Sequence, residues 1–201
     1  MNKFDIILIL IYFLYVLQMS STRIEIILGC MYSGKSTELI RRCTRYSAIG
    51  KKILLVNHSL DIRTGDSVMT HRKETLDAVK TNNLVSLIET DEFKNCDIVG
   101  IDEGQFFDDL LQFVQKAEIH NKIIIISGLD GDSERKPFGQ ILDCIPYCDE
   151  VIKLNAMDMV DKDGTPGIFT KRVSEKKDRI LVGTTDCFIA VSRKNYLEIN
   201  N

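Results

Sequence analysis

From residue 24 onward, runs of consecutive apolar residues alternate with stretches whose apolar positions recur every three or four residues. The runs are Ile24 to Leu28, Ile53 to Val56, Asp97 to Ile101, Ile123 to Ser127 and Val151 to Leu154. Most leave no polar face for solvent, and all are short, which predicts strands buried on both sides. Between them, Lys35 to Ile49 places Leu39, Ile40, Cys43 and Tyr46 at helical spacing, and Gly50 ends the stretch. Leu110, Leu111, Phe113, Val114 and Ala117 repeat that pattern. Buried strands alternating with amphipathic helices predict an α/β fold with a mainly parallel sheet flanked by helices. Residues 57–83 are polar and predict a long loop with some helix.

After Leu154 the pattern changes. "NAMDMVDKDGTPGIFTKR" is turn-rich, and "RILVGTTDCFIAVSRKNY" follows. This predicts a small β-rich appendage built from hairpins over 155–201, joined to an α/β domain over 21–154 with the boundary near Asn155. At the other end, "FDIILILIYFLYVLQM" is an apolar leader after a single Lys3. It has the shape of a secretory signal, and it is short for a membrane span of roughly 20 apolar residues. A start at Met19, directly ahead of the first strand, is the favoured reading. Residues 1–20 are expected to lie outside the fold.

Composition narrows the partners. The chain has 201 residues, 44% hydrophobic and 27% charged, with a formal net charge of -3. One domain of ordinary size with a small addition is expected, and nothing polybasic suggests nucleic acid. Six cysteines contain no C-x-x-C pair and read as reduced, mostly buried thiols. Cys144 and Cys148, around Pro146, are expected to pack rather than bridge.

The sharpest chemical signal is "GCMYSGKST", Gly29 to Thr37, which fits G-x-x-x-x-G-K-[ST] between a strand and a helix. Glycines let the backbone wrap phosphate oxygens, and the helix N-terminus adds partial positive charge. Lys35 is expected on the outer phosphates and Ser36 on Mg²⁺. Asp102 ends the apolar run "DIVGI" and suits a magnesium-organising role. Glu103 follows directly and is the candidate general base. If the segment is extended, the two carboxylates face opposite ways. This chemistry alone does not separate an attacking water from a substrate hydroxyl.

Three blocks, "GCMYSGKSTELIRR", "DIVGIDEGQFFDDL" and "LDGDSERKPFGQIL", together resemble thymidine kinases of the cytosolic and viral type, a family distinct from the herpesvirus enzymes. "LDIR", "TH" at Thr70 and His71, "VIKLNAM" and "TKR" extend the resemblance over Ile24 to Tyr196. It implies a P-loop (RecA-like) fold and ATP-dependent phosphorylation of the 5′-hydroxyl of thymidine. Glu103 matches the family's general base. Gly29, Ser33, Gly34, Lys35, Ser36, Thr37, Asp61, Arg63, Asp102 and Gln105 match nucleotide-binding positions, with Ser36 and Asp102 on magnesium. Phe106, Leu129, Phe138, Thr170, Leu181, Gly183 and Phe188 match the nucleoside site. The resemblance also implies a cytoplasmic homotetramer with feedback inhibition by thymidine triphosphate.

The appendage departs from the family. There, two C-x-x-C pairs hold a structural zinc; the matching positions here are Asp158, Asp161, Ser192 and Asn195. Zinc sites want thiolates and imidazoles, so no zinc is expected. Asp158 or Asp161 paired with Arg193 or Lys194 is the expected substitute, and a looser appendage the expected result. Phe188 stands where the family has Tyr, Ser133 where it has Phe, and Arg72 where it has an acid. These changes imply a wider pyrimidine deoxynucleoside range, deoxyuridine included. Two rival readings stand beside the kinase: a P-loop ATPase in which Glu103 activates water, and an inactive nucleotide-binding relic.

Overall fold

A computed structural model describes Ile6 and residues 22–60, 67–69, 75–173 and 187–198. Asp61, Arg63, Thr70, His71, Arg72, Leu181, Gly183 and nearly all of the leader lie outside the described residues. The central sheet has the strand order β5-β2-β6-β7-β1-β8. Its strands are β1 (Arg23–Gly29), β2 (Ile53–His58), β5 (Val79–Thr81), β6 (Ile98–Ile101), β7 (Ile123–Gly128) and β8 (Glu150–Leu154). Each neighbouring pair runs parallel.

The apolar runs are continuous because both faces of the sheet are covered. Successive side chains of a strand point to opposite faces. Ile24, Ile26 and Leu28 of β1 therefore join Val99 and Ile101 of β6 and Ile124 and Ile126 of β7 in one cluster. Ile27, Ile98 and Ile125 fall in the other. The first cluster is closed by Leu84 and Leu87 of α2 (Leu84–Leu87), Phe93 of α3 (Asp91–Asn95) and Leu110, Phe113, Val114 and Ala117 of α4 (Leu110–Ala117). The second is closed by Leu39 and Cys43 of α1 (Lys35–Ser47). A Cβ on Gly100 would come 2.6 Å from Leu55 and 3.0 Å from Cys43, so α1 settles onto β6 only over a glycine.

Two regions differ from the expectations above. Within 57–83, the described residues include short strands where a loop with some helix was expected. β2 runs on to His58, β3 (Ser67–Met69) pairs antiparallel with β4 (Thr75–Asp77), and β5 adds an edge to the sheet. That edge strand leaves Val79 exposed, so it carries no buried apolar run. β8 is the opposite edge and exposes Val151. Among the described residues no helix is long and apolar enough to cross a membrane.

Among its described residues the appendage shows two short antiparallel pairs and a helix. β9 (Ala156–Met157) pairs with β10 (Pro166–Gly167), β11 (Phe169–Arg172) with β12 (Phe188–Val191), and α5 (Arg193–Glu198) closes it. The helix is an addition to the expected hairpins. All six cysteines are free, and Cys30, Cys43, Cys96 and Cys144 are buried, as their spacing suggests.

Candidate active site

In a parallel sheet the C-terminal strand ends gather on one edge, where ligands bind. Here that edge carries Gly29 of β1, His58 of β2, Asp102 after β6 and Ser127 of β7. The loop after β1 turns through Tyr32 at φ 64° and Gly34 at φ 85° before α1 begins. Gly34 takes that left-handed conformation without a steric cost. Lys35 is buried, and its Nζ donates to the Cys30 carbonyl at 2.8 Å. Burial pulls the Lys35 ammonium below the ordinary lysine value, while the carboxylates of Glu103, Asp102 and Asp130 act against the shift. Ser33 Oγ donates to the same Cys30 carbonyl at 2.8 Å. Thr37 lies half-buried in the first turn of α1.

Asp102 is buried, and its Oδ1 accepts from Ser36 Oγ at 3.1 Å and from Ser127 Oγ. Ser127 was not foreseen from the sequence. β7 lies between β1 and β6, and the register pairs Ile101 with Ile126. Ser127, which ends "IIIIS", therefore falls beside Asp102, which follows "DIVGI". Two hydroxyl donors hold the Asp102 carboxyl group facing the phosphate loop. A hydroxyl and a carboxylate oxygen at this spot fit Mg²⁺, a hard cation that takes oxygen ligands.

Glu103 does not continue the strand. It adopts φ 54° and ψ 42°, so its divergence from Asp102 comes from a left-handed turn and not from strand alternation. Such a conformation is rare for a residue with a Cβ, costs on the order of 1 kcal/mol or more, and clusters at functional sites. Gln105 Nε2 donates to Glu103 Oε2 at 2.5 Å, and Gln105 Oε1 accepts from the Leu129 N–H at 2.9 Å. The two ends of one amide therefore fix where the carboxylate sits. Gly139, at φ 61°, makes the room: a Cβ there would lie 2.1 Å from the Gln105 carbonyl oxygen.

Phe106 and Phe138 meet edge to face, with centroids 5.7 Å apart. His58, also unforeseen, lies 6.0 Å from Phe106 and 4.7 Å from Phe107. Burial lowers its pKa. Its Nδ1 accepts from the Leu60 N–H at 3.1 Å, which leaves the proton of the neutral ring on Nε2. Leu129 is half-buried beside Gln105.

Thr170 and Phe188 approach from the appendage. Thr170 Oγ1 accepts from the Met31 N–H at 3.0 Å, and the Phe188 carbonyl accepts from Tyr32 OH at 3.2 Å. Both therefore touch the phosphate loop. The Phe188 ring is buried, with the Arg172 guanidinium 5.2 Å from its centroid.

This geometry can be set beside known proteins. The family model described as thymidine kinase matches residues 22–196. The thymidine kinase of vaccinia virus (strain Western Reserve) is 38% identical over 180 residues, which is 90% of this chain and 99% of the viral one. That of Variola virus is 38% identical over 180 residues, with the same coverage. That of Yaba monkey tumor virus is 39% identical over 178 residues, 89% of this chain and 96% of the viral one. The match takes in the phosphate loop, the Asp102–Glu103 turn and the appendage together, and on that breadth the chain belongs to the thymidine kinase family.

Proposed function

We propose that the protein transfers the terminal phosphoryl group of ATP to the 5′-hydroxyl of thymidine. The observation that carries the reading is the Asp102–Glu103 turn. One carboxylate is tied to the phosphate loop through Ser36, and the next is swung out and held by Gln105. Phosphoryl transfer is mostly positioning and charge stabilisation. Glu103 accepts the hydroxyl proton as the oxygen attacks, and Gln105 fixes its direction. Lys35 exchanges the Cys30 carbonyl for a phosphate oxygen. Ser36 and Asp102 would hold Mg²⁺, which neutralises phosphate charge when bound. Phe106 and Phe138 form an aromatic wall for the base, and Leu129, Thr170 and Phe188 border it. Arg63, Asp61, Leu181 and Gly183 keep the roles their motifs suggest. The expected setting is the cytoplasm, where ATP is available, and the expected assembly a homotetramer.

The test is a phosphorylation assay with Mg-ATP and thymidine, comparing the parent with Glu103→Gln. Loss of a positioned general base should lower kcat about 10²–10⁴-fold while leaving the thymidine KM nearly unchanged. ATP hydrolysis that proceeds at full rate without thymidine would instead establish the ATPase. ATP binding with no turnover on any nucleoside would establish the relic. Deoxyuridine in the same assay measures base selectivity.

A further inference from the structure

Asp158 is 2% exposed and sits where the appendage's two arms meet. Its Oδ1 accepts from the backbone N–H of Val160 at 2.7 Å and of Asp161 at 3.1 Å. Its Oδ2 accepts from the Ser192 N–H at 2.5 Å and from Asn195 Nδ2 at 2.9 Å. Ser192 Oγ then accepts from the Asn195 N–H at 3.3 Å, and Ser192 and Asn195 are themselves buried. One carboxylate thus joins the turn after β9 to the junction of β12 and α5. Burial by itself raises its pKa, but the Ser192, Asn195 and Val160 donors outweigh burial and hold it well below the usual carboxylate range.

These residues do not fit the zinc of the family. Both Asp158 oxygens face the positive ends of N–H dipoles, and Asn195 presents a donor nitrogen. The Asp161 side chain is 34% exposed and turns to Lys194 at 3.6 Å. Neither thiolate nor imidazole stands at these four positions, and zinc prefers both. Of the expected pairings of Asp158 or Asp161 with Arg193 or Lys194, Asp161 with Lys194 forms, but it is not what holds Asp158. The donors are instead backbone amides and the Asn195 side chain, while Asp161–Lys194 is a minor exposed pair.

The clasp has a mechanical reach. Beside it, the Met159 N–H donates to the Ala190 carbonyl at 2.9 Å. The arms it closes deliver the Gly167 carbonyl to Cys30 Sγ at 3.2 Å, Thr170 to Met31 and Phe188 to Tyr32. Three successive residues of the phosphate loop are therefore anchored by the appendage. We propose that Asp158 is a metal-free clasp that replaces the zinc and positions the nucleoside side of the active site. This rests on the reading that the appendage borders the nucleoside.

The test uses the full chain grown with zinc in the medium. Metal content is measured, together with thymidine and ATP kinetics and amide hydrogen exchange, for the parent, Asp158→Asn and Asn195→Ala. The parent should hold well under one zinc per chain and keep its activity in a chelator that spares magnesium. Hydrogen bonds to a charged acceptor are strong, so Asp158→Asn should raise the thymidine KM about tenfold to a hundredfold. Asn195→Ala should raise it severalfold. Exchange should quicken at Val160, Asp161 and Ser192 ahead of β7. If Asp158→Asn yields no soluble protein, Asn195→Ala carries the comparison. One tightly bound zinc per chain whose removal abolishes activity would overturn the clasp, as would unchanged exchange in both variants. Faster exchange with an unmoved thymidine KM would overturn the positioning role. If the parent binds ATP but no nucleoside, the nucleoside reading has failed, and exchange alone then judges the clasp.

Discussion

In the sheet, Ile24, Ile26, Val99, Ile101, Ile124 and Ile126 bury one face against α2, α3 and α4, while Ile27, Ile98 and Ile125 bury the other against α1. Where the appendage meets the phosphate loop, a small buried cluster comprises Cys30, Ala156 and Ala190, with Tyr32 packed on it. The sheet is held by area removed from water, which is additive and tolerant of small changes. The appendage has only two short strand pairs and a few buried side chains such as Phe188, Val191 and Tyr196, and one anion and its donors tie its arms together, where losing one partner leaves the others buried and unsatisfied. A rigid floor for phosphates and a separately fastened border for the nucleoside follow from that division. The two regions should therefore respond to different perturbations, although they meet where the appendage anchors Cys30, Met31 and Tyr32.

The largest effect expected is in the sheet. Phe113 is fully buried and packs edge to face on Phe93 at 6.1 Å. Phe113→Ala should cost about 3–5 kcal/mol of global stability in a denaturant titration. A loss confined to the appendage would break the comparison.

Acid should open the appendage before the sheet. The Asp158 pKa is depressed on folding, so its stabilisation is fully present above the unfolded value of about 4. It is lost as pH falls from there through the folded value. Amide exchange at Ser192 and Asp161, followed from neutral pH downward, should rise relative to β7 once the pH passes below that mark. The smallest effect belongs to the exposed Asp161–Lys194 pair: Asp161→Asn should change stability by about 1 kcal/mol or less, measured by thermal melting.

The sheet and the phosphate loop were legible because their signals are local. Continuous β-branched runs, one helical face and a nine-residue motif each lie within a single segment. What escaped the sequence depends on placement. β5 is an edge strand whose Val79 stays in water, so it leaves no apolar signature. Ser127 matters only through the register that sets it against Asp102. Glu103 was singled out as the candidate base, but its left-handed turn was not, since nothing in "IDEGQ" demands it. The Asp158 clasp was the hardest to see. Its acceptor and its Ser192 and Asn195 donors lie 34 and 37 positions apart, and most of the donors are backbone amides that any sequence possesses.

Asp158 also changes what the protein needs from its surroundings. A fold closed by thiolates around a metal depends on metal supply, and oxidants attack thiolates as a class. A carboxylate held by amides is inert to peroxide and needs no loading step after synthesis. The cysteine nearest this region's contact with the phosphate loop, Cys30, is buried, and burial pushes its thiol up, away from the reactive thiolate. The appendage can therefore close as soon as its chain is complete, with no metal to acquire.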